Sequence, residues 1–470
     1  MPARLAVPML SLALATVLWL AMGKAAVVNY DTLYSLKWGT ELAHGHLPDM
    51  TVPGAPTPHP LLTLAGVIAA PLFGSGSPAA LSLLAYLGYL ATSIAVVLLG
   101  LVAKRSFGIA AAIVASLLLV TREPVLSYGL RAYIDLPYLA LLMAALAFEL
   151  KKPRCGAPVQ VALLLAGLLR PEAWLLGFAY LAWLATGNDF PGRRRQLLWL
   201  TLAVAAPVLW GITDLVLTGD FFFSFRGTRA GAERLNRPTG LGSLFTIAPR
   251  RIGEVLRWEL LLGAAMGVAL LVRGRHPKAR VLIVATVAAA LAFAIVAIGG
   301  LPVIVRYLLP FAAMGCVACA YALTGWRADE SIPIGRAWFA GAVALLAAIL
   351  ALAPTQYHRL AGTQRALHVQ QQTTVELEAL VDEAACGPII VPNRRAVPLV
   401  ALWRKEDPRA VITSQDHPIP ATGAYVYPAS EAAANAFILD RTDVDKVIPG
   451  PPPGWTERDR TTRWVLAEHC

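Results

Sequence analysis

Eleven apolar stretches follow one another along the first three quarters of the chain, and they constrain the fold more than any other feature. A bilayer core about 30 Å thick is crossed by a helix of about 20 apolar residues. At 57% hydrophobic and 15% charged residues, the chain has too much apolar surface for one soluble core. The sequence therefore predicts an all-α polytopic membrane protein of about 11 transmembrane helices. The predicted spans are 5–26, 79–102, 107–121, 136–150, 157–170, 173–187, 197–218, 259–272, 281–299, 307–325 and 337–354.

The basic loops predict which way the chain crosses the membrane. The first span shows no clear cleavage site, so we expect a retained helix with a cytoplasmic N-terminus. Lys and Arg are enriched in cytoplasmic loops. The loops that this orientation places in the cytoplasm are basic at 104–105, 151–154, 193–195, 273–280 and 327–336. The outer loops are then 27–78, 122–135 and 219–258. Within the first of them, residues 60–73 are too short to span and predict a helix in the membrane interface, or one that re-enters it.

The last part of the chain has a different character. We expect a transmembrane domain over residues 1–354 and an extracytoplasmic α/β domain over residues 355–470. The pattern at 368–387, HVQQQTTVELEALVDEAACG, predicts an amphipathic helix ended by a glycine. Strands are predicted by four short apolar runs, PIIVP, AVITS, AYVYP and RWVLAE. Cys386 and Cys470 could pair if this domain faces an oxidising compartment.

Ionisable side chains are concentrated in or beside the predicted outer loops. Charged residues at a membrane are costly, and they mark either functional sites or structural ion pairs. Each of these residues alone fits an interfacial anchor or an ion pair, but their convergence on one face favours a site. Arg170 and Glu172 are two residues apart and would not face each other on a helix. The residues are Asp31, Glu41, His44, His46, Asp49, His59, Arg122, Glu123, Arg131, Asp135, Arg170, Glu172, Asp214, Asp220, Arg306 and Tyr307.

The chemistry of these residues suits a reaction at the membrane surface. A carboxylate such as Asp31, just beyond the first helix, can take a proton from an acceptor hydroxyl. Arginines can hold the phosphate of a lipid-linked leaving group. The loop 219–258 mixes phenylalanines with arginines, Arg226 and Arg229 among them, and either covers a lipid phosphate donor or rests on anionic headgroups. No P-loop, dinucleotide fingerprint or Gly-x-Ser-x-Gly motif occurs, so ATP-driven transport and serine hydrolysis have no support.

The order of these features resembles the integral-membrane glycosyltransferases of the GT-C fold. The likeness is to the protein O-mannosyltransferase and aminoarabinose-transferase branch and its actinobacterial relatives, over about residues 1–325. The features that carry it are Asp31, the His59-Pro60-Leu61 entry to a short helix, the basic turn Lys104-Arg105, GLRAYIDLP in the second outer loop, and RYLLP at Arg306–Pro310.

This resemblance implies a function and a set of site residues. A sugar would pass from a polyprenyl-phosphate-linked donor to an extracytoplasmic acceptor, which would be a cell-envelope glycan, a lipid or a protein, without a nucleotide sugar and with no nucleic-acid partner. Asp31 would be the general base, Asp135 the acid of the second outer loop, and Arg131 or Arg306 a phosphate binder. The full expected set is catalytic Asp31, substrate-binding His59, Arg131, Asp135, Glu172, Arg306 and Tyr307, and a donor phosphate loop with Arg226 and Arg229.

Several alternatives stay open at this point. Many members of the family carry paired acids in the first loop, whereas Asn29 and Tyr30 precede Asp31 here, and a divalent metal is left open as a cofactor. A transporter or flippase of lipid-linked sugars would also place charges beside a membrane cavity. A non-catalytic scaffold whose tail binds cell-wall polymer is a third class. The clustering of acids at one face, without an inverted repeat, favours the enzyme.

Overall fold

A computed structural model of the chain describes residues 5–52, 54–187, 192–274, 277–327, 335–437 and 448–470. The helices are α1 (Ala6–Ala21), α2 (Tyr30–Ala43), α3 (Pro60–Phe73), α4 (Pro78–Phe107), α5 (Ile109–Val120), α6 (Glu123–Gly129), α7 (Asp135–Lys151), α8 (Ala157–Gly167), α9 (Glu172–Ala185), α10 (Arg193–Thr218), α11 (Phe223–Arg234), α12 (Gly240–Thr246), α13 (Ala248–Gly274), α14 (Pro277–Ile298), α15 (Leu309–Thr324), α16 (Gly335–Ala351), α17 (Ala353–Glu383), α18 (Val397–Trp403) and α19 (Glu431–Phe437). The strands are β1 (Ile389–Val391), β2 (Ile412–Thr413), β3 (Gly423–Pro428), β4 (Thr456–Arg460) and β5 (Trp464–His469).

The chain is a multi-pass membrane protein, as predicted. Each of the eleven predicted spans falls on a helix. Among the described residues, five spans are long and apolar enough to cross a membrane: α4, α10, α12 with α13, α14, and α15 with the turn before it. Counting the bent pairs α5 with α6 and α16 with α17 as single spans raises the number to seven. The other predicted spans are shorter because breaks end their helices early; α8, for example, has 11 residues before Arg170 and Pro171.

The described chain forms two compact units. The first contains residues 1–21, 88–210 and 238–363, and the second contains 22–87, 211–237 and 364–470. The domain boundary predicted between residues 354 and 355 therefore stays a prediction. The compact unit that contains the sheet also includes the first outer loop and part of the third.

The first unit is a helical bundle in which α13 and α15 pack closely. A Cβ added at Gly267 of α13 would lie 2.0 Å from the carbonyl oxygen of Ala318, so only glycine allows this approach. Cys316 and Cys319 of α15 are buried free thiols in this bundle. α13 is kinked at Arg257, where φ is 62° and the backbone leaves the helix. Residues 219–258, predicted to form an outer loop, are largely helical, because α11, α12 and the first part of α13 lie in this range.

The second unit contains a five-stranded mixed sheet in the order β2-β1-β3-β5-β4. β1 pairs in parallel with β2 and β3, and β5 pairs antiparallel with β3 and β4. The four runs read as strands form β1, β2, β3 and β5, and the amphipathic pattern lies on α17, so the α/β prediction is confirmed. The chain end is fixed by a disulfide between Cys386 and Cys470. Trp464 of β5 is buried and donates from Nε1 to the carbonyl oxygen of Thr373 at 2.8 Å.

Helices α2 and α3 of the second unit cross at two glycines. A Cβ at Gly39 would lie 2.3 Å from the carbonyl carbon of Gly66, and one at Gly66 would lie 2.4 Å from the carbonyl oxygen of Ser35. On its other sides α2 enters the core of the sheet domain, where Tyr34 and Trp38 are fully buried. α2 is thus enclosed by protein rather than lying open in the interface.

Candidate functional site

Two carboxylates and two arginines of the first unit form a compact buried cluster. Arg170 Nη1 lies 2.5 Å from Asp135 Oδ1, and Arg170 Nη2 lies 2.5 Å from Glu172 Oε1. Arg306 Nη1 approaches the other oxygen of Asp135 to 3.9 Å. The side chain of Arg306 is 15% exposed, against 4% for Arg170 and 1% for Asp135. Arg306 is therefore the member of the cluster that a ligand can reach most easily.

The ends of three elements bring these side chains together. Asp135 and Glu172 are the first residues of α7 and α9, where the helix dipole favours a negative charge. Arg306 and Tyr307 lie on a 3-10 turn, Val305–Leu308, directly before α15. The four sequence-predicted residues Asp135, Glu172, Arg306 and Tyr307 thus share one site.

Aromatic rings cover the arginines of the cluster. The guanidinium carbon of Arg170 lies 3.6 Å from the ring centroid of Tyr307 and 5.4 Å from that of Tyr138. Arg306 lies 5.3 Å from the ring of Tyr133 and 5.2 Å from that of Tyr307. Cation–π contacts of this kind hold the planar guanidinium in a fixed orientation. The rings therefore hold the two guanidinium groups in place within the cluster.

The electrostatics of Arg170 follow from its two carboxylate partners. Both carboxylates lie within ion-pair distance of its guanidinium, so the buried charge of Arg170 is compensated on two sides. The two arginines and two carboxylates balance to zero net charge. Charges buried in this way need such partners, because an unpaired buried charge is strongly destabilising.

The interpretation of Arg170 from its spacing was wrong. Arg170 and Glu172 form an ion pair because Arg170 precedes α9, which begins at Glu172, so the helical spacing rule does not apply to it. Arg170 is consequently the central residue that the predicted site set omitted, together with Tyr133 and Tyr138. The signal was present: an arginine between an apolar stretch and a proline, in LLRPEAW.

Arg131 lies in the turn before α7 and has a different environment. Its Nη1 donates to the carbonyl oxygen of Ser127 at 2.7 Å and to Ser127 Oγ at 2.9 Å. Burial lowers the pKa of the Arg131 guanidinium, which nevertheless stays protonated because an arginine titrates so far above neutral pH. Arg131 is thus a buried cation in the turn before α7, and its guanidinium donates to neutral oxygens of Ser127.

Asp31, the predicted catalytic base, belongs to the second unit. It lies in the first turn of α2 and is 4% exposed. Its backbone N–H donates to Asn29 Oδ1 at 2.9 Å, because Asn29 caps the helix. The helix N-terminus favours a carboxylate at this position. Asn29 therefore fixes the backbone of Asp31, and a side-chain cap explains why this Asn precedes the acid.

The other three predicted residues also belong to the second unit. His59 is the N-cap residue of α3, and Arg226 and Arg229 lie exposed on α11. Thr57 Oγ1 and Thr228 Oγ1 are hydrogen-bonded at 3.0 Å, so the segment before His59 is tied to the helix that carries both arginines.

Two aspartates hold α11 in place. Asp214 accepts from Ser224 N at 2.8 Å and from Ser224 Oγ at 2.7 Å, which caps the first turn of the helix. Asp220 forms an ion pair with Arg226. Both acids of TDLVLTGD thus serve the geometry of α11.

Metal coordination was left open by the sequence. Across the residues that the structure describes, no group of three or more His, Cys, Asp or Glu side chains has an arrangement that could hold a metal ion. The arrangement of the first unit instead offers arginines and aromatic rings to an anion.

Comparisons with known proteins identify the fold. No family model matches the sequence, and no curated protein is significantly similar to it. Among solved structures, the chain is similar to ArnT from Cupriavidus metallidurans bound to undecaprenyl phosphate, with 16% identity, a TM-score of 0.57, and coverage of 99% of this chain and 98% of that one. The chain has an ArnT-like GT-C fold.

Two further solved structures are similar to the chain. ArnT in the apo state matches with 16% identity, a TM-score of 0.56 and the same coverage. An oligosaccharyltransferase from Archaeoglobus fulgidus, in complex with Zn and sulfate, matches 86% of this chain and 64% of its own length, with 14% identity and a TM-score of 0.48. The ArnT-like fold extends over nearly the whole chain, so it includes the C-terminal sheet as well as the helices. The GT-C fold expected from the sequence is confirmed.

Proposed function

We propose that this chain is a membrane glycosyltransferase that moves a hexose or pentose from a polyprenyl-phosphate-linked donor to an extracytoplasmic acceptor. The observation that carries the proposal is the ArnT-like fold over 99% of the chain, since one ArnT structure holds undecaprenyl phosphate. We expect the acceptor to be a cell-envelope glycan, a lipid or a protein. This expectation rests on the resemblance to GT-C glycosyltransferases and on the proposed position of the site at the outer face of the membrane.

The cluster of the first unit is proposed to bind the donor phosphate. A phosphate needs fixed cationic donors, and guanidinium groups match its geometry with paired hydrogen bonds. Arg306 supplies the guanidinium that donates hydrogen bonds to this phosphate, because its side chain is the most exposed of the four and approaches Asp135 only to 3.9 Å. Arg170 is already engaged by Asp135 and Glu172 at 2.5 Å, so its role is to hold those carboxylates. Arg131 adds positive charge in the turn before α7, close in sequence to Asp135.

Asp31 is proposed as the general base of the transfer. Inverting transfer needs a carboxylate that removes a proton from the acceptor hydroxyl as the sugar–phosphate bond breaks, and the proton then resides on that carboxyl group. Asp31 is buried and its backbone is fixed by Asn29, which suits a group that must be held in position. His59, at the N-cap position of α3, is assigned to acceptor binding, and Arg226 and Arg229 to the donor side.

The orientation of the chain is also part of the proposal. We place the N-terminus in the cytoplasm and the sheet domain outside the cell membrane, in agreement with the basic loops. The Cys386–Cys470 disulfide supports this orientation, because disulfides persist in oxidising compartments.

A transfer assay with purified protein tests the function. A radiolabelled polyprenyl-phosphate sugar and an envelope extract are incubated with the wild type, with Asp31→Asn and with Glu41→Gln. Glu41 is the matched control, since it is an acid on the same helix, ten residues and about 15 Å further along. We expect loss of about 10²–10⁴-fold in rate for Asp31→Asn, as for removal of a general base, and near wild-type rate for Glu41→Gln.

The outcomes separate the alternatives. Transfer that survives Asp31→Asn refutes the assignment of the base but leaves the enzyme. If the wild type transfers no sugar to any fraction of the extract, yet moves the labelled lipid across vesicles, the chain is a flippase and the proposed function is wrong.

A further inference from the structure

An apolar groove opens between helices of the first unit. Its walls are built from α7, α8, α9, α14 and α15. Leu142 and Leu146 of α7 and Val284 and Ala288 of α14 line it. Val284 is 40% exposed, so one side of the groove opens to the surroundings of the bundle. A groove of this composition suits hydrocarbon chains.

Three polar side chains of the groove, Glu149, Tyr180 and Trp183, lie together. The carboxylate of Glu149 accepts from Tyr180 Oη at 2.8 Å, from Trp183 Nε1 at 2.8 Å and from the backbone N–H of Arg154 at 2.9 Å. These donors are neutral, so the carboxylate is satisfied without an arginine side chain. The guanidinium of Arg154 is therefore directed elsewhere.

Two arginines converge on the indole ring of Trp183. The guanidinium carbon of Arg154 lies 4.9 Å from the ring centroid of Trp183, and that of Arg280 lies 5.9 Å from it. Arg154 also donates to Thr186 Oγ1 at 3.0 Å. Both arginines are exposed. The apolar groove thus includes a tryptophan with two cations over it, which is the arrangement that recognises a lipid with an anionic headgroup.

The position along α7 excludes the sugar donor as the occupant beside Trp183. Asp135 begins α7 and Glu149 lies fourteen residues later, a rise of about 21 Å at 1.5 Å per residue. A phosphate held by Arg154 and Arg280 is therefore about 20 Å from the Asp135–Arg170 pair. It could not be the phosphate that leaves in a transfer at that pair.

We propose that this groove binds an anionic phospholipid, with Arg154 and Arg280 holding its phosphate beside Trp183 and its acyl chains along α7 and α14. The basic loops place these arginines at the cytoplasmic leaflet, where anionic lipids supply such headgroups. The bound lipid fills the space between α7, α9 and α14 and stabilises their packing. The site is separate from the proposed transfer reaction and does not depend on it.

The test compares phosphatidylglycerol with phosphatidylcholine of identical acyl chains. Full-length protein in detergent is titrated with each lipid, and bound lipid is counted by native mass spectrometry. The variants are Arg154→Gln with Arg280→Gln, the charge-conserving pair Arg154→Lys with Arg280→Lys, and Lys152→Gln as an exposed basic control on the same turn. Ala285→Phe fills the groove without changing its charge. Thermal unfolding and sugar transfer are recorded for every variant.

The wild type is expected to bind phosphatidylglycerol more tightly than phosphatidylcholine, by about fivefold for each arginine. The double glutamine variant should lose this preference, the double lysine and Lys152→Gln variants should keep it, and Ala285→Phe should weaken both lipids equally. Equal binding of the two lipids by the wild type overturns the proposal. So does a folded double glutamine variant that keeps the preference. Sugar transfer is measured on the same folded double glutamine variant. Because the lipid site is separate from the transfer site, transfer should stay near the wild-type rate whether or not the lipid preference is lost.

Discussion

Arg170 donates to Asp135 across 2.5 Å at a place where both side chains are almost completely removed from solvent. Asp135 begins one helix, and Arg170 directly precedes another, α9. The pair therefore fixes the distance between the starts of α7 and α9, and Glu172 completes the neutralisation of the arginine. The stability of this end of the bundle should depend on the arginine more than on any exposed charge.

Replacement of Arg170 by Gln is expected to lower the free energy of unfolding by about 3–5 kcal/mol, because it leaves two buried carboxylates without their cation. Thermal unfolding of the detergent-solubilised protein measures this. Arg250→Gln is the control: Arg250 pairs with Glu254 at 3.5 Å but its side chain is 76% exposed, so we expect less than about 1 kcal/mol. Adding Asp135→Asn to Arg170→Gln should recover part of the loss. Equal effects of the two arginine changes would contradict the buried ion pair.

Arg306→Ala should lower kcat/KM for the polyprenyl-phosphate donor by about 10–100-fold, which is the cost of losing a hydrogen bond to a charged group. Most of the loss should enter KM, because Arg306 is proposed to hold the phosphate before and during the reaction. Arg336→Ala, at an exposed position in the first turn of α16, is the control. An unchanged KM with Arg306→Ala would assign the phosphate to another cation.

The fold was largely predictable from hydropathy, and the departures have physical causes. Apolar stretches of helical length and four short strand patterns are signals carried by neighbouring residues, so each predicted span falls on a helix and each predicted strand was found. The helix breaks were less visible: Arg257 leaves the helix within α13 although its neighbours favour helix. Tertiary packing, which the sequence does not display, decides where such a kink is tolerated.

The site was only partly predictable, for a related reason. Asp135, Glu172, Arg306 and Tyr307 could be chosen because charge beside apolar sequence is rare, and the structure brings them together. Arg170 was left out of the predicted site because residues two positions apart do not face each other on a helix. Arg170 lies before α9, however, so this rule does not apply to it. Tyr133 and Tyr138 gave no signal, because aromatic residues are common at membrane surfaces whatever their role.

Gly39→Ala is expected to destabilise the protein by about 1–3 kcal/mol, the usual cost of overpacking. The added methyl group would meet the backbone of Gly66 at 2.3 Å, and neither helix can give way without separating. Gly227→Ala is the matched control in a helix of the same unit, where an added Cβ has nothing within 4 Å. That change should be neutral or slightly stabilising, since alanine favours helix. Thermal unfolding that fails to distinguish the two variants would refute the tight crossing.

Acid should weaken the attachment of the first outer loop. Burial by itself would raise the pKa of Asp49, but hydrogen bonds from Thr51 N and Oγ1, both 2.7 Å, and the Arg409 guanidinium hold it below its ordinary value. A carboxyl with a lowered pKa in the folded protein adds stability that is complete above its unfolded pKa of about 4 and is lost as the pH falls through the folded value.

The variant that tests this is Asp49→Asn. It should unfold at a lower temperature than the wild type at pH 7, and the difference should shrink as the pH is lowered below 4. A difference that stays constant with pH would mean that Asp49 acts through packing rather than through its charge.

Loss of the disulfide should loosen the sheet domain at its C-terminus. Cys386 and Cys470 are 84 residues apart, so the bond closes a long loop, and its removal by Cys470→Ser should cost about 2–4 kcal/mol. β5 carries the chain end and lies between β3 and β4, so the effect should reach the sheet as increased hydrogen exchange along β5. Cys155→Ser, which removes a thiol that forms no disulfide, is the control. Thiol labelling of the unreduced wild type completes the test: if Cys386 reacts in protein purified without reductant, the bond does not form in the cell, and the extracytoplasmic position of the domain loses its support.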